Sequence, residues 1–217
     1  HWRLQQVEPD CRFTSIHFAD ERHGWIAGGW TEPYTGVSRA VLLRTADGGE
    51  HWRPERIDTL PKLHRVKFFD ADRGAAIAEP SSMYPSGVFI TENGGRNWTP
   101  VPTEKPQRWT CGDFLAPGVG ALAGENATLA TVRQRSIVSS TSPNAGLRGL
   151  AALELDRNGR GWLVGEGGLV FHTEDLGQSW QLPTAELPEA VRSGFDWSAV
   201  AQHGSHVWIV GSPGSRV

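Results

Sequence analysis

One eight-residue pattern recurs three times in the chain, as TADGGEHW at 45–52, TENGGRNW at 91–98 and TEDLGQSW at 173–180. Thr45, Asp47, Gly49 and Trp52 form the first set, Thr91, Asn93, Gly95 and Trp98 the second, and Thr173, Asp175, Gly177 and Trp180 the third. The spacing has a mechanical meaning. A hydroxyl and a carboxylate two residues apart accept backbone N–H bonds inside a tight turn, the glycine takes a positive φ, and the indole packs back over the loop. Such a turn closes itself between two strands. Asn93 keeps an acceptor oxygen but loses the charge, which predicts a weaker second copy.

The turns sit inside a longer repeat. Five segments each read as an apolar strand, a turn and a second apolar strand: SIHFADERHGWIAGG, RVKFFDADRGAAIAE, CGDFLAPGVGALAGE, LELDRNGRGWLVGEGG and AVAQHGSHVWIVGSPG. The residues that open the second strand are Gly24, Gly74, Gly120, Gly161 and Val207, giving steps of 50, 46, 41 and 46 residues. A period of about 40–50 residues with four strands per unit is that of a β-propeller blade. Twenty-six glycines and 14 prolines against a single methionine suit many short strands and tight turns better than helices.

The chain is therefore read as all-β, a single propeller domain or propeller fragment over 1–217 built of four-stranded antiparallel blades. About five blades are represented: a blade tail at 1–10, units at about 11–60, 61–108, 109–146 and 147–190, and an incomplete unit at 191–217. His1 and Trp2 read as the end of a further turn. In the third unit Thr131 stands where the box threonine belongs but VRQRSIV follows, which predicts a plain hairpin. Severed units at both ends imply part of a seven-bladed ring, with a closed five-bladed ring as the alternative.

The recurring turn resembles the Asp-box, or bacterial neuraminidase repeat, which joins the third and fourth strands of a propeller blade. Together with Gly24-Trp25-Ile26-Ala27-Gly28 and Gly161-Trp162-Leu163-Val164-Gly165, the whole phrase resembles the photosystem II assembly and stability factor family of extracytoplasmic propellers. That resemblance implies a non-catalytic assembly protein outside the cytoplasm with a protein partner. Asp-boxes also occur in sialidases and xyloglucanases, so the fold alone does not choose an activity. The insertions at 30–38 and 80–86 depart from the compact blade of the family.

Strand direction decides which loops share an end. In a four-stranded antiparallel blade the first and third turns lie at one end, and the second turn and the blade-to-blade connections at the other. The Asp-boxes then mark a lower face and are structural. On the upper face fall Trp30, Trp109 and Trp197, together with Tyr34 and Tyr84 in the two insertions. Aromatic rings on a rim suit a peptide interface or sugar stacking, and equally suit packing of the loops onto the sheets. Five residues past three of the markers stand Glu79, Glu125 and Glu166, carboxylates for a cation or basic partner, or polar dressing of solvated turns. His17, Arg65, Lys67, Asp113 and Glu154 are expected to line a central channel.

Composition excludes several classes. A net charge of -3 gives no electrostatic footprint for nucleic acid, and the sequence holds no apolar run near the ~20 residues of a membrane helix. Cys11 and Cys111 are expected as half-buried thiols rather than a disulfide. His17, His64, His172 and His203 have no partner at metal-ligand spacing, so neither metal nor cofactor is expected. A sialidase would need three convergent arginines and a tyrosine–glutamate pair, and no such set is evident. A xyloglucanase-like site would rest on Asp113 and Asp196, which lack supporting context. The function read from the sequence is a binding or assembly propeller that recognises a protein through its upper face, with carbohydrate binding or glycoside hydrolysis second.

Overall fold

In the computed structural model the chain is all-β, and residues 11–57, 60–103, 105–146, 148–184 and 194–213 are described. The expected blade tail at 1–10 lies outside them. Among the described residues the only helical element is a 3-10 turn at Glu125–Ala127, and no helix is long and apolar enough to cross a membrane. The described residues form five antiparallel sheets in succession along the chain, three of four strands, one of three and one of two. The chain divides into two compact units, His1–Pro100 and Val101–Val217.

In the first unit β1 (Arg12–Phe18), β2 (Gly24–Thr31), β3 (Ser38–Thr45) and β4 (Arg53–Pro54) make one blade in sequential order. β5 (Leu63–Phe68), β6 (Gly74–Ala78), β7 (Val88–Thr91) and β8 (Thr99–Pro100) make the next. Trp25, Ala27 and Leu42 of the first sheet pack on Leu63, Val66, Phe68, Ala76 and Phe89 of the second. Trp25 and Phe68 stack at 3.7 Å between centroids, nearly parallel at 3°, and Trp25 Nε1 donates to Gly94 O at 3.0 Å. Four of the five residues of β6 are glycine or alanine, and all five are buried. The outermost strands β4 and β8 are two residues long and each ends on a proline, which offers no N–H at the edge.

The second unit holds β9 (Trp109–Ala116), β10 (Val119–Gly124), β11 (Leu129–Arg133) and β12 (Ser136–Ser139). A three-stranded sheet of β13 (Leu150–Leu155), β14 (Gly161–Gly165) and β15 (Val170–Thr173) follows, then the pair β16 (Phe195–His203) and β17 (His206–Pro213). Ala121, Ala123 and Leu129 pack on Leu150, Leu153, Leu163, Phe171 and Trp180. Gln181 holds the fourth-strand place beside β15, exchanging both backbone bonds with His172 at 2.9 Å. The boxless third unit closes with a two-residue turn, Gln134 and Arg135 at φ 48° and 63°, the plain hairpin that the sequence predicts. Cys11 is half-buried and Cys111 buried, each as a thiol.

Among the described residues the first strand of each sheet carries a bulge at the same place. Thr14, His64, Thr110, Ala151 and Ser198 each drop out of register with the second strand. A bulge reverses the alternation of side chains beyond it, and the threonine hydroxyl there donates to a backbone carbonyl, Thr14 to Leu63 O of the next blade at 2.7 Å and Thr110 to Ala123 O of its own at 3.1 Å.

Candidate functional site

The three boxes share one geometry. Thr45 Oγ1 accepts the Gly49 N–H at 2.9 Å and donates to Asp47 Oδ1 at 2.7 Å, and the same carboxylate oxygen takes the His51 N–H at 3.0 Å. Thr173, Asp175, Gly177 and Ser179 repeat this at 2.9 Å throughout, and Ser179 Oγ adds a bond of 2.6 Å to the carboxylate. In the second box Thr91 Oγ1 and Asn93 Oδ1 stand 3.2 Å apart, the longest of the three such contacts. Neutral oxygen draws the donor in less, in line with the weaker copy expected there. At Asp175 burial works to raise the pKa, but the Ser179 hydroxyl and N–H and the Thr173 hydroxyl outweigh it and hold the carboxyl below its ordinary value. Asp47 is likewise lowered, first by the His51 N–H, then by the Thr45 hydroxyl and the His51 ring.

A second set of acid turns lies at the same end, and the sequence reading passed over it. Asp20, Asp70 and Asp156, in the turns between first and second strands, each cap two backbone N–H groups. Each also pairs with the base just before the marker glycine, His23 at 2.8 Å, Arg73 at 2.6 Å and Arg160 at 2.9 Å. The signal was in the text as Asp followed by His or Arg before glycine. These turns accept an N–H from the adjoining box, Gly48 to Arg22 O at 3.0 Å, Gly94 to Asp72 O at 2.7 Å and Leu176 to Gly159 O at 2.8 Å. First and third turns therefore meet at one end of each of the three box-bearing blades.

The opposite end carries the second turns and the blade connections. Glu79, Glu125 and Glu166 each donate the backbone N–H to the connection entering their own blade, at Lys62, Arg108 and Gly149. Their carboxylates are not brought into a cluster: Glu125 pairs with Arg108 at 3.4 Å, and Glu166 accepts the Gly149 N–H at 2.9 Å. Among the described residues no group of three His, Cys, Asp or Glu side chains is arranged to hold a metal ion.

The aromatic residues separate into presented and packed. The first insertion is a lengthened hairpin, because β2 and β3 stay paired out to Thr31 and Ser38. Its tip is fixed by the Glu32 carboxylate, which takes Arg39 Nε at 2.7 Å and Thr35 Oγ1 at 2.8 Å. These bonds, Arg39 first, hold the Glu32 pKa down. On this ordered tip Tyr34 is 101% exposed, with Trp30 at 40% and Val37 at 46% below it. In the second insertion Tyr84 packs edge-on against Phe89 at 5.1 Å, so it anchors the loop, and the residue the loop presents is Met83.

Trp109, read as a rim residue, is instead the first residue of β9 and is 3% exposed. Trp197 is half-buried and stacks on Phe195 at 5.4 Å. Two of the expected channel residues are held by the neighbouring blade. His17 Nδ1 accepts the Phe68 N–H at 3.2 Å, and Asp113, 1% exposed, accepts the Leu155 N–H through Oδ2 at 3.0 Å. These positions are equivalent, each one residue before the end of the marker pairing, and each ties an innermost strand to the next blade of its unit. Strand side chains point to the two faces of a sheet, and a blade face meets a neighbouring blade rather than the axis. Arg65, Lys67 and Glu154 are half-buried. Asp196, the other acid considered for hydrolysis, accepts the Gly167 N–H at 2.9 Å.

Four-stranded antiparallel blades of this period, with box turns pinned by their own threonine and acid, define a β-propeller of the Asp-box class. The family model for the photosynthesis system II assembly factor YCF48 matches residues 1–135, and the chain belongs to that family. It is 22% identical over 195 residues to the photosystem II assembly lipoprotein Ycf48 of Synechococcus sp. (strain CC9902), covering 88% of this chain and 42% of the relative. The chain thus spans less than half the length of that curated relative. Among solved structures, YCF48 bound to D1 peptide aligns with a TM-score of 0.55 at 18% identity, covering 98% of this chain and 78% of that one. A GH74 enzyme of Niastella koreensis aligns at 0.59 and 16% identity over 93% of this chain and 28% of the enzyme, a likeness of fold.

Proposed function

We propose that the chain is a non-catalytic, extracytoplasmic assembly propeller that recognises a polypeptide partner through the blade ends opposite its Asp-boxes, using Trp30, Tyr34 and Val37 of the first insertion and Met83 of the second. The observation that carries this reading is Tyr34, wholly exposed on a turn that Glu32, Thr35 and Arg39 already hold in shape. An aromatic anchor on a preorganised tip loses little entropy when it docks, which is how hot-spot residues gain affinity. Membership of the YCF48 family, and a family member's solved complex with a D1 peptide, point to a polypeptide ligand of that kind. Glu79, at the end of the second strand of its blade, is assigned to the same surface. The two aspartates a hydrolase would draw on both accept backbone N–H bonds, which favours recognition over catalysis.

The test is binding of a synthetic D1 peptide to the chain by biolayer interferometry, with Trp30→Ala and Tyr34→Ala together. The expected result is at least about a hundredfold loss of affinity, the effect of truncating two anchors, with an unchanged circular dichroism spectrum. Full affinity in the double variant rejects this face as the binding surface.

A further inference from the structure

Beyond that face, the second unit has an outer edge unlike those of the first unit. β4 and β8 stop after two residues at Pro54 and Pro100, whereas β12 runs for four residues, SIVS, with no proline. β12 ends its sheet, and the register with β11 fixes which backbone groups are used. Ser140 donates its N–H to Leu129 O at 2.9 Å, so by the alternation of an antiparallel ladder Val138 and Ser136 also turn inward. The N–H and C=O of Ile137 and Ser139 turn outward, and among the described residues no strand pairs with them.

Those same two residues line an open cavity of about 550 Å³ together with Ser136, Thr128, Ala130 and Trp109, and with Thr103, Lys105 and Gln107 of the connection before β9. Ala130 is the cross-strand partner of Ser139, so cavity and open edge belong to one continuous surface. Its volume is within the range of specific ligand sites. Lys105 is the one charged residue among the described lining residues.

We propose that β12 is a docking edge for an extended acidic peptide, which adds as a further strand along Ile137 and Ser139 and places one acidic side chain in the cavity toward Lys105. Two outward N–H groups and two outward carbonyls at alternate residues call for a partner with the same spacing of donors and acceptors, which a polypeptide backbone has and a sugar does not. Strand addition supplies the affinity, and the cavity selects the side chain. The site lies on the second unit and uses none of the insertion residues assigned above.

The experiment is a fluorescence-polarisation screen of a library of labelled five-residue peptides, alternating β-branched residues with one acidic, neutral or basic position, against the 217-residue chain. Binding is located by amide chemical shifts. Acidic peptides are expected to bind best and to shift the Ile137 and Ser139 amides. Lys105→Glu should transfer the preference to basic peptides. Ile137→Pro removes an N–H that the ladder does not use, so the fold is kept, and should weaken binding about tenfold through the lost backbone bond and its neighbour. A correctly folded Ile137→Pro variant that binds as tightly as the parent overturns the proposal. So does a screen in which no peptide moves those amides, or one in which xyloglucan oligosaccharides do so and peptides do not. Loss of D1 peptide binding in the Trp30 and Tyr34 variant with β12 binding intact separates the two surfaces.

Discussion

Replacing Trp180 by alanine tests the box as a unit of stability. Its ring is 2% exposed and belongs to the core of the second unit with Leu153, Leu163 and Phe171. A buried indole removes roughly 150–250 Å² from water, which at about 25 cal/mol per Å² amounts to about 4–6 kcal/mol as an upper figure. Against this, Trp180 Nε1 is buried without a hydrogen-bond partner, and relief of that group returns about 1–3 kcal/mol. The cavity left behind restores part of the difference, so the expected loss is about 3–5 kcal/mol. Urea unfolding followed by far-ultraviolet circular dichroism measures it without relying on the deleted fluorophore. The same change at Trp52, which is half-buried, should cost clearly less. A loss below about 1 kcal/mol at Trp180, or equal losses at the two sites, would refute the reasoning that burial in the blade core sets the value.

Asn93→Asp should raise the urea midpoint, by about 0.5–1 kcal/mol of stability, because a charged oxygen replaces a neutral one opposite the Thr91 hydroxyl and the Asn97 N–H; an unchanged midpoint removes the account of the weak box. Gly177→Ala should destabilise by about 2–4 kcal/mol, since φ is +77° and the new Cβ would meet Ala121 Cβ at 2.7 Å; equilibrium unfolding checks it. The turn aspartates have folded pKa values below their ordinary 3.8, Asp20 at about 2 through its His23 hydrogen bond. Their stabilisation is therefore complete above 3.8 and lost as pH falls toward their folded values. Acid unfolding should accordingly begin below about pH 4, and Asp175→Asn should flatten the acid limb of the stability profile; a parallel profile speaks against Asp175 as a contributor.

The parts of the fold carried by local chemistry were legible in the chain. Thr, acid, Gly and Trp at fixed spacing close a turn without outside help, and the marker glycines gave the blade period and the end at which the boxes lie. What escaped depended on contacts between distant segments. Trp109 stands in a connection by sequence, but the strand it opens turns its ring inward. Tyr84 and Met83 are neighbours, and only the approach of Phe89 decides that the tyrosine packs and the methionine shows. The channel residues were assigned from one strand at a time, and the backbone groups that His17 and Asp113 accept come from the neighbouring blade, a contact between distant segments.

Hydrogen–deuterium exchange of the chain with and without D1 peptide reports on both ends of each blade in one measurement. The account predicts added protection within 30–38 and 80–86, with the Asp-box turns at 45–52 and 91–98 unchanged. Protection gained at the box turns while the insertions exchange as before would contradict it.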